Sequence, residues 1–99
     1  MKKFILFYKG PPTPPNASHE KWPNWFTQLG DHLVDRGSPL QNGRVVREDG
    51  STRDPETNTN GYSIIQAENL DEALKLLKDH PLLTMDTDEY FIEIFELPR

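Results

Sequence analysis

The chain has 99 residues, ten of them aromatic and none of them cysteine, with a formal charge of −5. A chain of this length supports one modest core, so a single domain over residues 1–99 is expected. Without cysteine there is no disulfide framework, thiolate metal site or cysteine nucleophile, and a cytoplasmic location is expected. The acidic balance and the scattered basic residues argue against nucleic acid or an anionic membrane surface as a partner.

In chain order, Lys2 to Lys9 reads as a strand, because Phe4 to Tyr8 are β-favouring and apolar at both alternating phases. That pattern belongs to a central strand covered on two sides. The apolar run is too short for a secretory leader or a membrane span. Gly10 to Asn16 follows with four prolines, which predict a stiff, polyproline-like path that overhangs the sheet.

A first helix is predicted over Lys21 to Arg36. Pro23 is tolerated in its first turn, Trp22, Trp25, Phe26, Leu29 and Leu33 form its apolar stripe, and Gly37 supplies a stop. A short strand is expected over Gly43 to Arg47. The polar stretch from Glu48 to Asn60 lacks apolar periodicity and is expected to be a hairpin loop. Tyr62 to Ala67 reads as a third strand. Asn69 with Glu72 gives a capping pattern for a second helix, with Leu70, Ala73, Leu74 and Leu77 on one face and an end near His80, before Pro81. Tyr90 to Leu97 is the last strand.

The expected order is βαββαβ: an α+β, ferredoxin-like, four-stranded antiparallel sheet with both helices on one face. The first and last strands, with the third, then leave apolar residues on the uncovered face: Phe4 or Ile5, Phe7, Phe91, Phe95, and Ile64 or Ile65. At ~100 Å² for each of four or five side chains and ~25 cal/mol per Å², leaving that face wet forfeits roughly 10 kcal/mol of burial. A homodimer formed through the sheet face removes the cost.

Candidate chemistry is sparse. His32 lies beside the stripe of the first helix with Asp35 and Arg36 near it. His80 follows Asp79, but neighbouring helical side chains diverge, and a helix-end role is the plainer reading for it. His19 sits at the entry to the first helix next to the proline segment, and Glu93 alternates with Phe91 and Phe95 on one strand face. The catalytic candidates are His19, Asp79 and Glu93. Tyr8, Trp22, Trp25, Phe26 and His32 are the candidate ligand-binding residues, with core packing as the alternative for the tryptophans. No metal-ligand spacing occurs, and no cofactor is expected.

Gly61-Tyr62-Ser63-Ile64-Ile65, then Leu70-Asp71-Glu72-Ala73 and His80-Pro81, together with Glu93 in the last strand, resemble the YCII-related family. Asp49-Gly50 stands where the DGPF-type branch has its signature, and Lys3 to Tyr8 is similar to the family's first strand. The resemblance implies a dimeric α/β barrel, two ferredoxin-like sheets face to face, with a pocket between the first helix and the sheet in each protomer. Better understood members resemble small lyases or dehydrochlorinases acting on hydroxylated aromatic rings. Here Ser51-Thr52 replaces the Pro-Phe of the signature, and Trp25 or Phe26 stands in place of the helix histidine that pairs with an aspartate matched by Asp79. The implied function is a dimeric small-molecule-binding or accessory protein without an intact His–Asp pair. The alternative is a cofactor-independent lyase or isomerase working by acid–base chemistry.

Overall fold

A computed structural model describes residues 1–12, 21–78, 80–84 and 89–98. Strand β1 (Lys2–Lys9) is followed by helix α1 (Lys21–Leu29), a 3-10 turn (Gly30–His32) and strand β2 (Leu33–Pro39). Two short strands, β3 (Val45–Val46) and β4 (Thr52–Arg53), precede strand β5 (Thr59–Ala67). Helix α2 (Leu70–Leu76), a 3-10 turn (Pro81–Thr84) and strand β6 (Phe91–Leu97) complete the described chain. The main sheet has four strands in the order β2-β5-β1-β6, every pair antiparallel. This is an α+β architecture with two helices, compatible with a ferredoxin-like fold.

The alternation along β1 and β5 decides where the core lies. Phe4, Leu6 and Tyr8 of β1, with Ser63, Ile65 and Ala67 of β5, point to one face and are buried beneath Trp25 and Leu29 of α1 and Ala73 of α2. Each of the larger apolar side chains contributes roughly 1.5–3 kcal/mol through burial. One residue out of phase, Ile5, Phe7, Tyr62 and Ile64 face the other way with Phe91 and Phe95, which are 42% and 53% exposed. The pairing of Phe4 with Ile65 and of Ile5 with Ile64 settles which member of each predicted pair lies on the open face: Ile5 and Ile64.

Several elements differ from the sequence expectation. Helix α1 ends at Leu29 rather than at Arg36, because Gly30 adopts φ +53 and turns the chain out of the helix seven residues before Gly37. The freed segment becomes β2, so the second strand of the main sheet is Leu33–Pro39 and not Gly43 to Arg47. Gly37 instead serves an irregular stretch of β2: it has φ +80, and a Cβ there would stand 1.7 Å from the Tyr62 carbonyl oxygen. Only glycine lets the two backbones come that close.

The Val45–Val46 segment pairs with Thr52–Arg53 in a separate two-stranded sheet. Asp49 closes its turn by accepting from the backbone N–H and the hydroxyl of Ser51, at 2.9 and 2.6 Å, and these bonds hold its carboxyl below the usual range. Arg44 is held to the Asp54 carboxylate and donates to Thr52 Oγ1 at 2.9 Å.

Helix α2 starts as its capping pattern predicts. Asn69 Oδ1 accepts from Glu72 N at 2.9 Å, and Glu72 Oε1 accepts from Glu68 N at 3.1 Å. The helix is shorter than expected, and its buried side carries Ala73, with Leu77 just beyond its end, while Leu70 and Leu74 are each 47% exposed. A seven-residue helix presents too narrow a contact to bury its whole apolar stripe. Among the described residues no helix is long and apolar enough to cross a membrane.

Candidate functional site

Between α1 and the sheet, side chains from two segments converge on an imidazole supplied by a third. Strand β1 contributes Tyr8, α1 contributes Trp22 and Trp25, and the chain beyond α2 contributes His80, which is fully buried. The His80 ring lies 4.2 Å from that of Trp25, 4.7 Å from Trp22 and 4.9 Å from Tyr8, centroid to centroid. The Trp22 contact is edge-on at 89°, and Trp22 meets Tyr8 at 85°, the T-shaped geometry that aromatic quadrupoles prefer. Trp25 Nε1 donates to the Leu76 carbonyl at 3.4 Å, which ties α1 to the end of α2.

Hydrogen bonding fixes the protonation of the cluster. Leu82 N donates to His80 Nδ1 at 2.9 Å, so Nδ1 is the bare nitrogen and the neutral ring carries its proton on Nε2. Nε2 is buried and has no partner among the described residues. Burial disfavours the charged imidazolium and pushes the His80 pKa down to about 3. Tyr8 OH donates to Ser63 Oγ at 2.6 Å, and Ser63 Oγ donates in turn to the Arg36 carbonyl of β2 at 2.6 Å. Burial also pushes the Tyr8 phenol well above its ordinary range.

This arrangement limits the chemistry available. A general base must offer a lone pair to substrate, and the His80 lone pair is occupied by a backbone N–H. A general acid must release a proton near neutrality, which a neutral imidazole N–H and a buried phenol do not. What remains, among the described residues, is the unused donor His80 Nε2–H, enclosed by aromatic rings.

The other predicted residues are scattered. Phe26 is partly buried against Trp22 and Trp25, with the Arg36 guanidinium 4.9 Å over its ring. His32 is in the 3-10 turn after α1. Its Nδ1 lies 2.9 Å from the Gln66 carbonyl oxygen and 3.9 Å from Glu72 Oε1, away from the ring contacts around His80. Glu93 is on the open face of the sheet, opposite Phe7, where its carboxylate meets Lys9 Nζ at 3.6 Å. Lys9 also donates to Thr59 Oγ1 at 2.7 Å. The sheet therefore separates Glu93 from the His80 cluster. His19 and Asp79 lie outside the described residues, as does the proline path beyond Pro12.

An open cleft of about 560 Å³ is found elsewhere, lined by Pro39, Leu40, Gln41, Asn42, Asp54 and Asn58 among others. It contains no aromatic ring, and its carboxylate is the one held by Arg44. Among the described residues no group of three metal-ligating side chains occurs.

Two members of the central cluster were not singled out as site residues from the sequence. Ser63 was detectable as a polar residue on the buried phase of an otherwise apolar strand, in step with Ile65 and Ala67. His80 gave a weaker signal, since a histidine before a proline at a helix end has a sufficient local explanation. The fold and cluster together define an antiparallel α+β protein with a histidine enclosed by aromatic rings. Comparison with known proteins adds no identity: no family model, no curated protein and no solved structure matches the chain.

Proposed function

We propose that this chain is a YCII-related, cytoplasmic protein that forms a homodimer through its open sheet face and acts as a small-molecule-binding or accessory protein without acid–base catalysis. The observation that carries the reading is the occupied lone pair of His80: the imidazole nearest the expected pocket is bonded to Leu82 N–H, and Trp25 is buried against it. A lyase or isomerase needs a base free to reach substrate, and the described cluster supplies none.

The dimer rests on a different feature. Ile5, Phe7, Ile64, Phe91 and Phe95 share the face opposite the helices, with Phe7 and Phe95 in edge contact at 6.0 Å. A second copy laid sheet to sheet, in the manner of a dimeric α/β barrel, removes that surface from water.

Both parts are tested on one sample. Light scattering at micromolar concentration should give about twice 11.5 kDa. A panel of hydroxylated aromatics should raise the melting temperature for at least one member without being converted. A stable monomer overturns the dimer. Turnover that is lost in a His19, Asp79 or Glu93 variant replaces the accessory reading with the enzyme.

A further inference from the structure

His80 stands where three segments meet. Its backbone N–H donates to the Leu77 carbonyl at 3.0 Å, at the end of α2. Its own carbonyl accepts from Leu83 N at 3.0 Å, and its side chain accepts from Leu82 N at 2.9 Å, both within the Pro81–Thr84 turn. The ring occupies the space between Tyr8, Trp22 and Trp25. One side chain thus holds the 3-10 turn closed and fills the space beneath α1.

That arrangement tolerates only the neutral ring. A proton added to Nδ1 would face the Leu82 N–H at 2.9 Å, and two donors cannot share one hydrogen bond. Nε2–H has no acceptor among the described residues, so the added charge finds no second bond there. Tyr8 is the titratable group presented by β1; it stays neutral and its hydroxyl is committed to Ser63. Helix α1 presents the uncharged rings of Trp22 and Trp25, and the turn presents the apolar Leu82. No ion pair to His80 occurs among the described residues. The attraction of an imidazolium for aromatic faces is smaller than the hydration it gives up on full burial.

We propose that His80 is an acid-released latch, whose protonation breaks the Leu82 N–H···Nδ1 bond, expels the ring from the Tyr8–Trp22–Trp25 cluster and opens the 80–84 turn. The expelled ring leaves a space lined by the three aromatic side chains. The device links acidification to exposure of the same cleft in which the proposed function places its ligand, but it stands without that function.

The test uses the full chain between pH 7.5 and 4. In the wild type, Leu82 amide exchange, corrected for its intrinsic rate, should accelerate at least tenfold as pH falls, together with a reversible change in tryptophan fluorescence. His80→Asn keeps an acceptor where Nδ1 stands and cannot titrate, so it should abolish both responses; Asp79→Asn should retain them. Nitrogen shifts of the imidazole should report the Nε2–H tautomer in every molecule whose Leu82 amide is protected, a measurement that stands even if His80→Asn does not fold. The latch is overturned by any of three results: a protonated His80 with a protected Leu82 amide, an acid response unchanged in His80→Asn, or one lost in Asp79→Asn.

Discussion

On the helix-bearing face of the sheet Phe4, Leu6 and Ile65 are fully buried, whereas one residue further along the same strands Ile5, Phe7 and Ile64 keep part of their surface in water. Both faces are built from the same residue types on the same three central and edge strands. The difference lies in cover, because α1 and α2 supply rings and methyl groups to one side only. On the covered face the polar atoms are also organised, with Tyr8, Ser63 and the Arg36 carbonyl forming a chain and His80 anchored to the backbone. On the open face the corresponding polar pair is Lys9 with Glu93, whose side chain is 45% exposed. Apolar patterning by itself therefore does not measure burial. The covered face carries the apolar core, and the open face leaves apolar side chains partly in water.

The largest effect should come from replacing one aromatic side chain on each face. Phe4→Ala should cost about 3–5 kcal/mol in urea unfolding, as for other fully enclosed rings. Phe95→Asp should leave the stability of the single chain within about 1 kcal/mol while turning the proposed dimer into a monomer in light scattering. Equal losses of protomer stability would erase the distinction between the faces.

Acid should act on the covered face next. The folded pKa of His80, about 3, lies below its unfolded value of 6.5, so its neutral form stabilises the fold fully above pH 6.5, and that stability is lost as pH falls toward 3. Between pH 7 and pH 4 the loss amounts to about 3 kcal/mol, taken as the difference between wild type and His80→Asn in parallel urea titrations. Identical slopes for the two proteins would mean that His80 carries no such burden.

The smallest effect belongs to the hydroxyl chain. Tyr8→Phe should cost about 1 kcal/mol, because Ser63 keeps its own bond to the Arg36 carbonyl and only one neutral hydrogen bond is lost. A loss as large as that of Phe4→Ala would show that the polar chain, and not apolar burial, dominates the covered face.

Much of the layout was legible because its signals are local. The two-residue alternation in Phe4 to Tyr8 and in Tyr62 to Ala67 marked strands, and Asn69 with Glu72 marked the start of α2. The first helix was overextended because Leu33 continues the spacing of Trp22, Trp25, Phe26 and Leu29. A helix period cannot distinguish a residue still in the helix from one that returns to the same core on a strand. Here Gly30, rather than Gly37, was the stop. In the candidate site, Tyr8, Trp22 and Trp25 were legible as aromatic material near a cleft. Their common partner was not, since His80 lies more than fifty residues from each of them in sequence.

The sequence by itself determined that the first and last strands are apolar on both phases, that α2 is capped at Asn69, and that a sheet carrying both helices on one side leaves Phe7, Phe91 and Phe95 uncovered. These follow from periodicity and side-chain chemistry within a few residues. Only the tertiary structure decided that Leu33–Pro39 is the second strand, that Ile5 and Ile64 belong to the open face, and that His80 is enclosed with its lone pair already used. Register, burial and the partner of a buried nitrogen are set by contacts between segments distant in the chain, which no local pattern encodes.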